Sequence, residues 1–138
     1  MIGSPTTILF VCTENACRSQ MAEAFARQAG GESVEAWSAG SKPRGSVDLD
    51  AVAVMQEKGI DLTWQTSKGL DDVPDISWDI VVTMGCGDAC PSVAAYRRLD
   101  WDIPDPKGQP LEQVRTIRDE IERRVKALLV CVPEREEI

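Results

Sequence analysis

An apolar run that leads through a short polar loop into a helical pattern constrains the fold more than any other feature. Residues 6–11 (Thr-Thr-Ile-Leu-Phe-Val) are apolar on both faces, which predicts a central strand of a parallel sheet. From Ser19 onward, apolar residues recur at helical spacing until Gly30 and Gly31 end the pattern. A strand, a loop and a helix in this order are typical of the start of a parallel α/β fold.

The rest of the chain continues this alternation of strands and helices. The predicted elements are strands at 33–38, 78–84 and 98–101 and helices at 48–58 and 111–129. Asp48 is expected to cap the first of these helices, with Leu49, Val52 and Met55 on its inner face. The pattern predicts a three-layer α/β fold: a mostly parallel four-stranded sheet with helices on both faces.

In such a fold the candidate functional loops meet at one edge of the sheet. Right-handed crossovers bring the loop after the first strand, the loop after the third strand and the loop around Asp105 to the carboxyl ends of the strands. This edge is where ligands bind in open parallel sheets. We therefore expect one site built from several loops.

Length and charge limit the classes of protein that fit. A chain of 138 residues is expected to form one domain spanning residues 1–138, and we expect a monomer. Its 15 basic and 23 acidic residues give a net charge of -8, which argues against nucleic acid and anionic membranes as partners. Without a membrane-length apolar run or a leader peptide, the expected location is the cytoplasm.

The cysteines and the missing histidine limit the chemistry. Five cysteines in a chain without a signal peptide favour thiol chemistry over a secreted disulfide framework. Because the chain has no histidine, a nucleophile of the Cys-His type is excluded. Free thiols titrate near ~8.5, so a thiolate here needs positive potential from other groups.

Residues 12–19 (Cys-Thr-Glu-Asn-Ala-Cys-Arg-Ser) offer such groups. Arg18 presents a planar fork for a tetrahedral oxyanion, and the loop amides and the following helix start add positive potential. Ser19 is placed to hydrogen-bond the sulfur of Cys12, and Asn15 to brace the loop. The alternative is an inert core thiol beside a solvated arginine. The candidate oxyanion-binding residues are Thr13, Glu14, Asn15, Ala16, Cys17, Arg18 and Ser19, with Cys12 as the nucleophile.

Two further groups follow the third and fourth predicted strands. Cys86 and Cys90 can form a disulfide if their segment brings the Cα atoms to about 6 Å, although inert packing of both thiols remains open. A zinc site is disfavoured, because it would need Cys12 or Cys17 as further ligands. Asp105, between two prolines, is either part of a stiff turn or an acid that protonates a leaving oxygen.

Five motifs together carry a family resemblance over nearly the whole chain. They are residues 12–25 (CTENACRSQMAEAF), 38–40 (SAG), 65–67 (QTS), 81–86 (VVTMGC) and 104–106 (PDP). With these motifs the chain resembles the thioredoxin-coupled arsenate reductases, which share a fold and an anion loop with low-molecular-weight protein tyrosine phosphatases. The resemblance implies no tightly bound cofactor, because reducing equivalents come from thioredoxin, and no metal is expected.

The resemblance also implies a relay of three thiols. Cys12 would attack the arsenic atom of arsenate, held by the loop amides and Arg18, while Asp105 helps a hydroxyl group to leave. Cys86 would then attack Cys12 and release arsenite, and Cys90 would attack Cys86 to form a disulfide that thioredoxin reduces. A branch of the family uses low-molecular-weight thiols with glutaredoxin-like partners, so the donor stays open. Cys17 and Cys131 are expected to be passive.

Three positions depart from the family pattern. Glu14 stands where relatives often carry glycine, and we expect its carboxylate to point away from the anion. The interval between Cys86 and Cys90 is shorter than in some relatives. Lys68 stands where some relatives place an acidic residue at a potassium site, and its ammonium group is predicted to take the place of the ion, so activity should be indifferent to potassium.

Two other functions fit the same residues. A low-molecular-weight phosphatase would use the same loop for phosphate, but such enzymes generally flank the general acid with tyrosines, and the single Tyr96 lies away from Asp105. A non-catalytic thiol sensor or arsenite-binding module would also need converging cysteines. Catalytic turnover of arsenate separates the enzyme from the sensor, which consumes thiols stoichiometrically.

Overall fold

In a computed structural model of the protein, the described residues are 4–85 and 93–131. Four strands form one sheet in the order β2-β1-β3-β4, and every neighbouring pair is parallel. The predicted four-stranded parallel α/β fold is confirmed, with a sheet that is parallel throughout. The elements are β1 (Thr6–Cys12), α1 (Arg18–Gly30), β2 (Val34–Gly40), α2 (Leu49–Gln56), β3 (Trp78–Thr83), β4 (Ala95–Asp100) and α3 (Leu111–Val130).

The strand register places the ends of all four strands at one edge. β1 pairs with β2 as far as Cys12 opposite Gly40, and with β3 as far as Val11 opposite Thr83. Thr83 in turn lies opposite Asp100 at the end of β4. The loops that follow these strands therefore leave the sheet side by side, as the crossover rule predicts.

One face of the sheet carries the main core. Side chains of β1 such as Ile8 and Phe10 pack there with buried residues from α1, α2 and α3. Along α3, Val114, Ile117, Ile121, Val125 and Leu128 are buried at helical spacing. Among the residues that the structure describes, no helix is long and apolar enough to cross a membrane.

The opposite face has a thinner cover in the described part of the chain. Leu9, Val11 and Val81 are buried on this side, and they pack with Leu70 and Val73. Leu70 begins a short 3-10 helix, Leu70–Asp72, rather than an α-helix. Among the described residues, one face of the sheet is therefore covered by three α-helices and the other by less regular structure.

The inner face of α2 differs from the sequence prediction. Asp48 caps the helix as expected, with its side chain accepting from the backbone N–H of Asp50 at 2.8 Å. Met55 is buried and Val52 packs partly buried against the core, as predicted, but Leu49 is 80% exposed, and Ala51 and Val54 are buried as well. The prediction for Leu49 was wrong because the cap places this residue in the first turn, on the solvent side of the helix.

Candidate active site

Carbonyl groups of the loop between β1 and α1 are directed towards the neighbouring segment 41–48. Backbone N–H groups of residues 41–48 donate to four of them: Ser41 to Cys12 (3.4 Å), Lys42 to Thr13 (2.8 Å), Arg44 to Glu14 (3.0 Å) and Asp48 to Ala16 (2.8 Å). For residues 13–17, no backbone N–H has an acceptor within the described ranges. Such unpaired amides in a turn are the groups that bind anions.

Gly40 permits this loop to lie against the end of β2. A Cβ atom at this position would stand 2.7 Å from the carbonyl oxygen of Thr13 and 2.9 Å from the backbone nitrogen of Asn15. Real Cβ atoms do not approach backbone atoms so closely. Glycine is therefore required at position 40 because the loop backbone packs against it, and not because of its own backbone conformation. The Ser-Ala-Gly motif indicated this position, but the contact that explains it is visible only in the fold.

The predicted contacts around the sulfur of Cys12 are present. Its Sγ atom lies 2.9 Å from the hydroxyl oxygen of Ser19, and the amide nitrogen of Asn15 donates to the same hydroxyl at 2.7 Å. Asn15 has a positive φ of 49°, and its side-chain oxygen accepts from the backbone N–H of Lys68 at 2.8 Å. The asparagine therefore braces the loop through side-chain and backbone bonds, as expected.

Arg18 connects the first loop with two others. Its guanidinium is buried, and Nη1 donates to the carbonyl oxygen of Ile103 at 3.0 Å. Nη2 lies 3.9 Å from a carboxylate oxygen of Asp105. A Cβ atom on Gly85 would stand 2.5 Å from Nη1, so the loop after β3 also contacts this group. Cys12, Arg18 and Asp105 thus lie together at one edge of the sheet, as predicted.

The concave side of the loop forms a small pocket. Its cavity volume is about 20 Å³, which is enough for about one water molecule. The lining residues are Cys12, Thr13, Glu14, Ala16, Cys17, Arg18, Asp48, Asp105 and Lys107. The sequence did not predict two of these, because Asp48 was recognised only as a helix cap and Lys107 carries no motif beyond its position after Pro-Asp-Pro.

Glu14 pairs with a residue of the loop after β4. Glu14 is one of the residues that line the pocket, and its partly exposed carboxylate lies 3.2 Å from the Nζ atom of Lys107, which also lines it. The expectation that this carboxylate points away from the anion stays a prediction. Lys107, from the loop after β4, supplies a positive charge that offsets this carboxylate within the lining.

The two cysteines of the loop have different surroundings. Cys17 is buried, and this burial, with the nearby charge of Asp48 as a second cause, raises the pKa of its thiol far above the usual range. Cys17 is thus held as a neutral thiol, while Cys12 has the hydroxyl of Ser19 beside its sulfur. Cys131 is exposed at the end of α3. Cys86 and Cys90 lie outside the described residues, so their roles stay predictions.

The ammonium group of Lys68 is surrounded by oxygen acceptors. Its Nζ atom lies 3.3 Å from Glu23 Oε1, from the hydroxyl of Ser38 and from the carbonyl oxygen of Thr66. Glu23 is fully buried, and its other oxygen pairs with Arg27 at 3.1 Å. This arrangement agrees with the prediction that an ammonium group stands in for a potassium ion. Neither Glu23 nor Arg27 was predicted from the sequence.

Comparison with known proteins identifies the protein family of this chain. The family model described as low molecular weight phosphotyrosine protein phosphatase matches residues 7–137. The chain belongs to this family.

Within the family, the chain is similar to arsenate reductases. It is 38% identical over 128 residues to the glutaredoxin arsenate reductase of Synechocystis sp., covering 91% of this chain and 97% of the relative. A solved arsenate reductase in the phosphate binding state is 37% identical with a TM-score of 0.85, covering 93% and 99% of the two chains. The thioredoxin-dependent arsenate reductase of Corynebacterium glutamicum is 33% identical with a TM-score of 0.77, covering 94% of this chain and 63% of that one.

Proposed function

We propose that this chain reduces arsenate to arsenite, with Cys12 as the nucleophile in an oxyanion-binding loop. The observation that carries the proposal is the loop geometry: the loop carbonyls are engaged by residues 41–48, the backbone N–H groups of residues 13–17 have no acceptor among the described residues, and the pocket is lined by Cys12 and the buried Arg18. Similarity to arsenate reductases selects arsenate among the tetrahedral oxyanions.

Binding comes from backbone amides and one guanidinium. Fixed N–H groups hold the oxygens of the anion without reorganising, and the fork of Arg18 adds a charge-assisted pair of bonds. The site thereby binds an anion although the protein carries a net charge of -8.

The first chemical step joins sulfur to arsenic. The thiolate of Cys12 attacks arsenic, a sulfur–arsenic bond forms, and one arsenic–oxygen bond breaks. The departing oxygen leaves as water after it receives a proton from Asp105, whose carboxyl group lines the pocket. Arsenic keeps its oxidation state in this step.

Reduction occurs in the second step, which depends on the family resemblance for Cys86 and Cys90. The thiolate of Cys86 attacks the sulfur of Cys12, so that a disulfide forms and the electron pair of the sulfur–arsenic bond stays on arsenic. Arsenic(V) becomes arsenic(III) and leaves as arsenite. Cys90 then attacks Cys86 and frees Cys12, and two thiols of a partner protein reduce the Cys86–Cys90 disulfide.

Thioredoxin is the proposed partner, and a glutaredoxin-like protein is the alternative. The printed names of the relatives include both donors. Comparing NADPH oxidation with each donor system, for the wild type and for Cys90→Ser, assigns the last step. Loss of thioredoxin-linked turnover in Cys90→Ser supports the three-thiol relay, and unchanged turnover removes Cys90 from it.

The function itself is tested by arsenate-dependent NADPH oxidation with thioredoxin and thioredoxin reductase. We expect turnover by the wild type, none by Cys12→Ser, and unchanged turnover by the control Cys131→Ser, because that thiol lies at the far end of α3. Hydrolysis of an aryl phosphate without arsenate turnover would instead identify a phosphatase. Consumption of thiols in a single stoichiometric burst would identify a sensor.

A further inference from the structure

We propose that Gln20 is a positioning residue that directs the hydroxyl proton of Ser19 onto the sulfur of Cys12. The inference rests on the proposed role of Cys12 as the nucleophile, and it adds a residue that does not line the pocket. It comes from a continuous row of side-chain hydrogen bonds that begins at Gln65 and passes through Gln20 and Asn15.

The row has four short contacts. The amide nitrogen of Gln65 donates to Gln20 Oε1 at 2.6 Å, and the amide nitrogen of Gln20 donates to Asn15 Oδ1 at 2.8 Å. Asn15 then donates to Ser19 at 2.7 Å, and the hydroxyl of Ser19 lies 2.9 Å from the sulfur. Asn15, Ser19 and Gln20 are 0% exposed and Gln65 is 6% exposed, so water does not weaken these bonds.

The orientation of Asn15 fixes the direction of the Ser19 proton. Asn15 Oδ1 accepts from Gln20 and also from the backbone N–H of Lys68, so its amide nitrogen must face Ser19. The oxygen of Ser19 therefore accepts a hydrogen from Asn15, and its own single hydrogen is left for the sulfur. A sulfur atom that accepts a hydrogen bond is stabilised as the thiolate.

Gln20 itself has only one favourable orientation. Besides Asn15 Oδ1, its nitrogen donates to the carbonyl oxygens of Asn15 at 2.9 Å and of Thr66 at 2.8 Å. A flipped amide would place Gln20 Oε1 against these three oxygens and its nitrogen against the donor of Gln65. Gln65 and the surrounding carbonyls thus fix the orientation of the Gln20 amide, and Gln20 together with the backbone N–H of Lys68 fixes the orientation of the Asn15 amide.

Gln20 also braces the loop mechanically, so the test must separate bracing from direction. A lost brace misplaces the sulfur and lowers its reactivity at every pH. A lost directional bond lowers the thiolate population only where thiol and thiolate compete, so reactivity falls at mildly acidic pH and recovers at alkaline pH.

The experiment measures the alkylation rate of Cys12 by iodoacetamide, with the site resolved by fragmentation mass spectrometry. We expect Gln20→Met to slow alkylation about tenfold at about pH 6 but less than about twofold at about pH 9.5. Gln65→Met acts one bond further away, so we expect about threefold slowing at the lower pH. Gln28→Met, the same change at an exposed position of α1, is the control and should not alter the rate.

Equal slowing of Gln20→Met at both pH values, or no slowing, overturns the inference. Thermal unfolding shows whether each variant folds, and if Gln20→Met does not fold, the pH-selective slowing of Gln65→Met decides. A wild-type Cys12 that reacts at about pH 6 as slowly as the exposed Cys131 contradicts the proposed function instead.

Discussion

The two loops that meet at the pocket are held in different ways. The loop from β1 to α1 is fixed by backbone bonds from residues 41–48 and by the buried side chain of Asn15. The loop from β4 to α3 is anchored by buried side chains such as Ile103, but its charged side chains are exposed: the side chain of Asp105 is 59% accessible and lies 3.9 Å from Arg18, and Lys107 pairs with Glu14 near solvent.

This difference matches what each loop contributes to the proposed reaction. Donors that stabilise an oxyanion are effective only when they are already in place, so the anion loop is rigidly braced. A group that gives up a proton must regain one from solvent in each cycle, so Asp105 benefits from exposure. The first loop must hold its hydrogen-bond donors in fixed positions, whereas Asp105 in the second loop must exchange protons with water.

Gly40→Ala disturbs the packing of the braced loop directly and should have the largest effect on activity. The added methyl group meets the backbone of residues 13–15 and displaces the anion-binding amides. We expect kcat/KM for arsenate to fall about a thousandfold, with a loss of about 1–3 kcal/mol in stability. Gly69→Ala is the control, because its methyl group meets no atom closer than 3.4 Å. Near-normal kcat/KM in Gly40→Ala would mean that the loop tolerates displacement.

Asp105→Asn tests the exposed loop and should have the next largest effect. The amide cannot donate an acidic proton to the leaving oxygen, so kcat should fall about a hundredfold, and KM should change little because the anion cradle is intact. Steady-state kinetics measure both constants. Asp102→Asn, an exposed neighbour outside the pocket lining, is the matched control. A change confined to KM would make Asp105 a binding residue.

The Glu14–Lys107 pair tests how the two loops interact, and its effect should be smaller because both side chains are partly exposed. Lys107→Met leaves the carboxylate uncompensated in the pocket, so we expect KM for arsenate to rise about fivefold. Adding Glu14→Gln should restore most of the affinity. The single change Glu14→Gln should lower KM by only about twofold.

Salt provides a check on the same pair. The effect of Lys107→Met on KM should shrink as ionic strength rises, because exposed charges are screened. A manyfold gain of affinity from Glu14→Gln alone would show that Lys107 does not offset the carboxylate.

Potassium should have the smallest effect, because the space behind the braced loop already holds an ammonium group. Lys68 Nζ contacts three oxygen acceptors, including the buried Glu23. We expect turnover to differ by less than about twofold between sodium and potassium chloride at equal ionic strength. Strong activation by potassium would show that Lys68 leaves a cation site open.

Local patterns in the sequence predicted the parts of the site that lie on one short segment. Cys12, Asn15, Arg18 and Ser19 are close along the chain, so the strand–loop–helix pattern was enough to predict their contacts. The prediction for Leu49 failed because apolar periodicity does not distinguish the exposed first turn of a capped helix from its buried face. Lys107 was missed because it meets Glu14 only across 93 positions of sequence.

The sequence by itself determined the alternation of strands and helices, the edge at which the loops meet, and the absence of an imidazole base. These follow from periodicity and composition, which are local properties. Only the tertiary structure decided which carbonyls residues 41–48 satisfy, why position 40 must be glycine, and how Gln65 and Gln20 orient Asn15. Hydrogen-bond direction depends on which donors and acceptors folding buries together, and that information is distributed over distant segments of the chain.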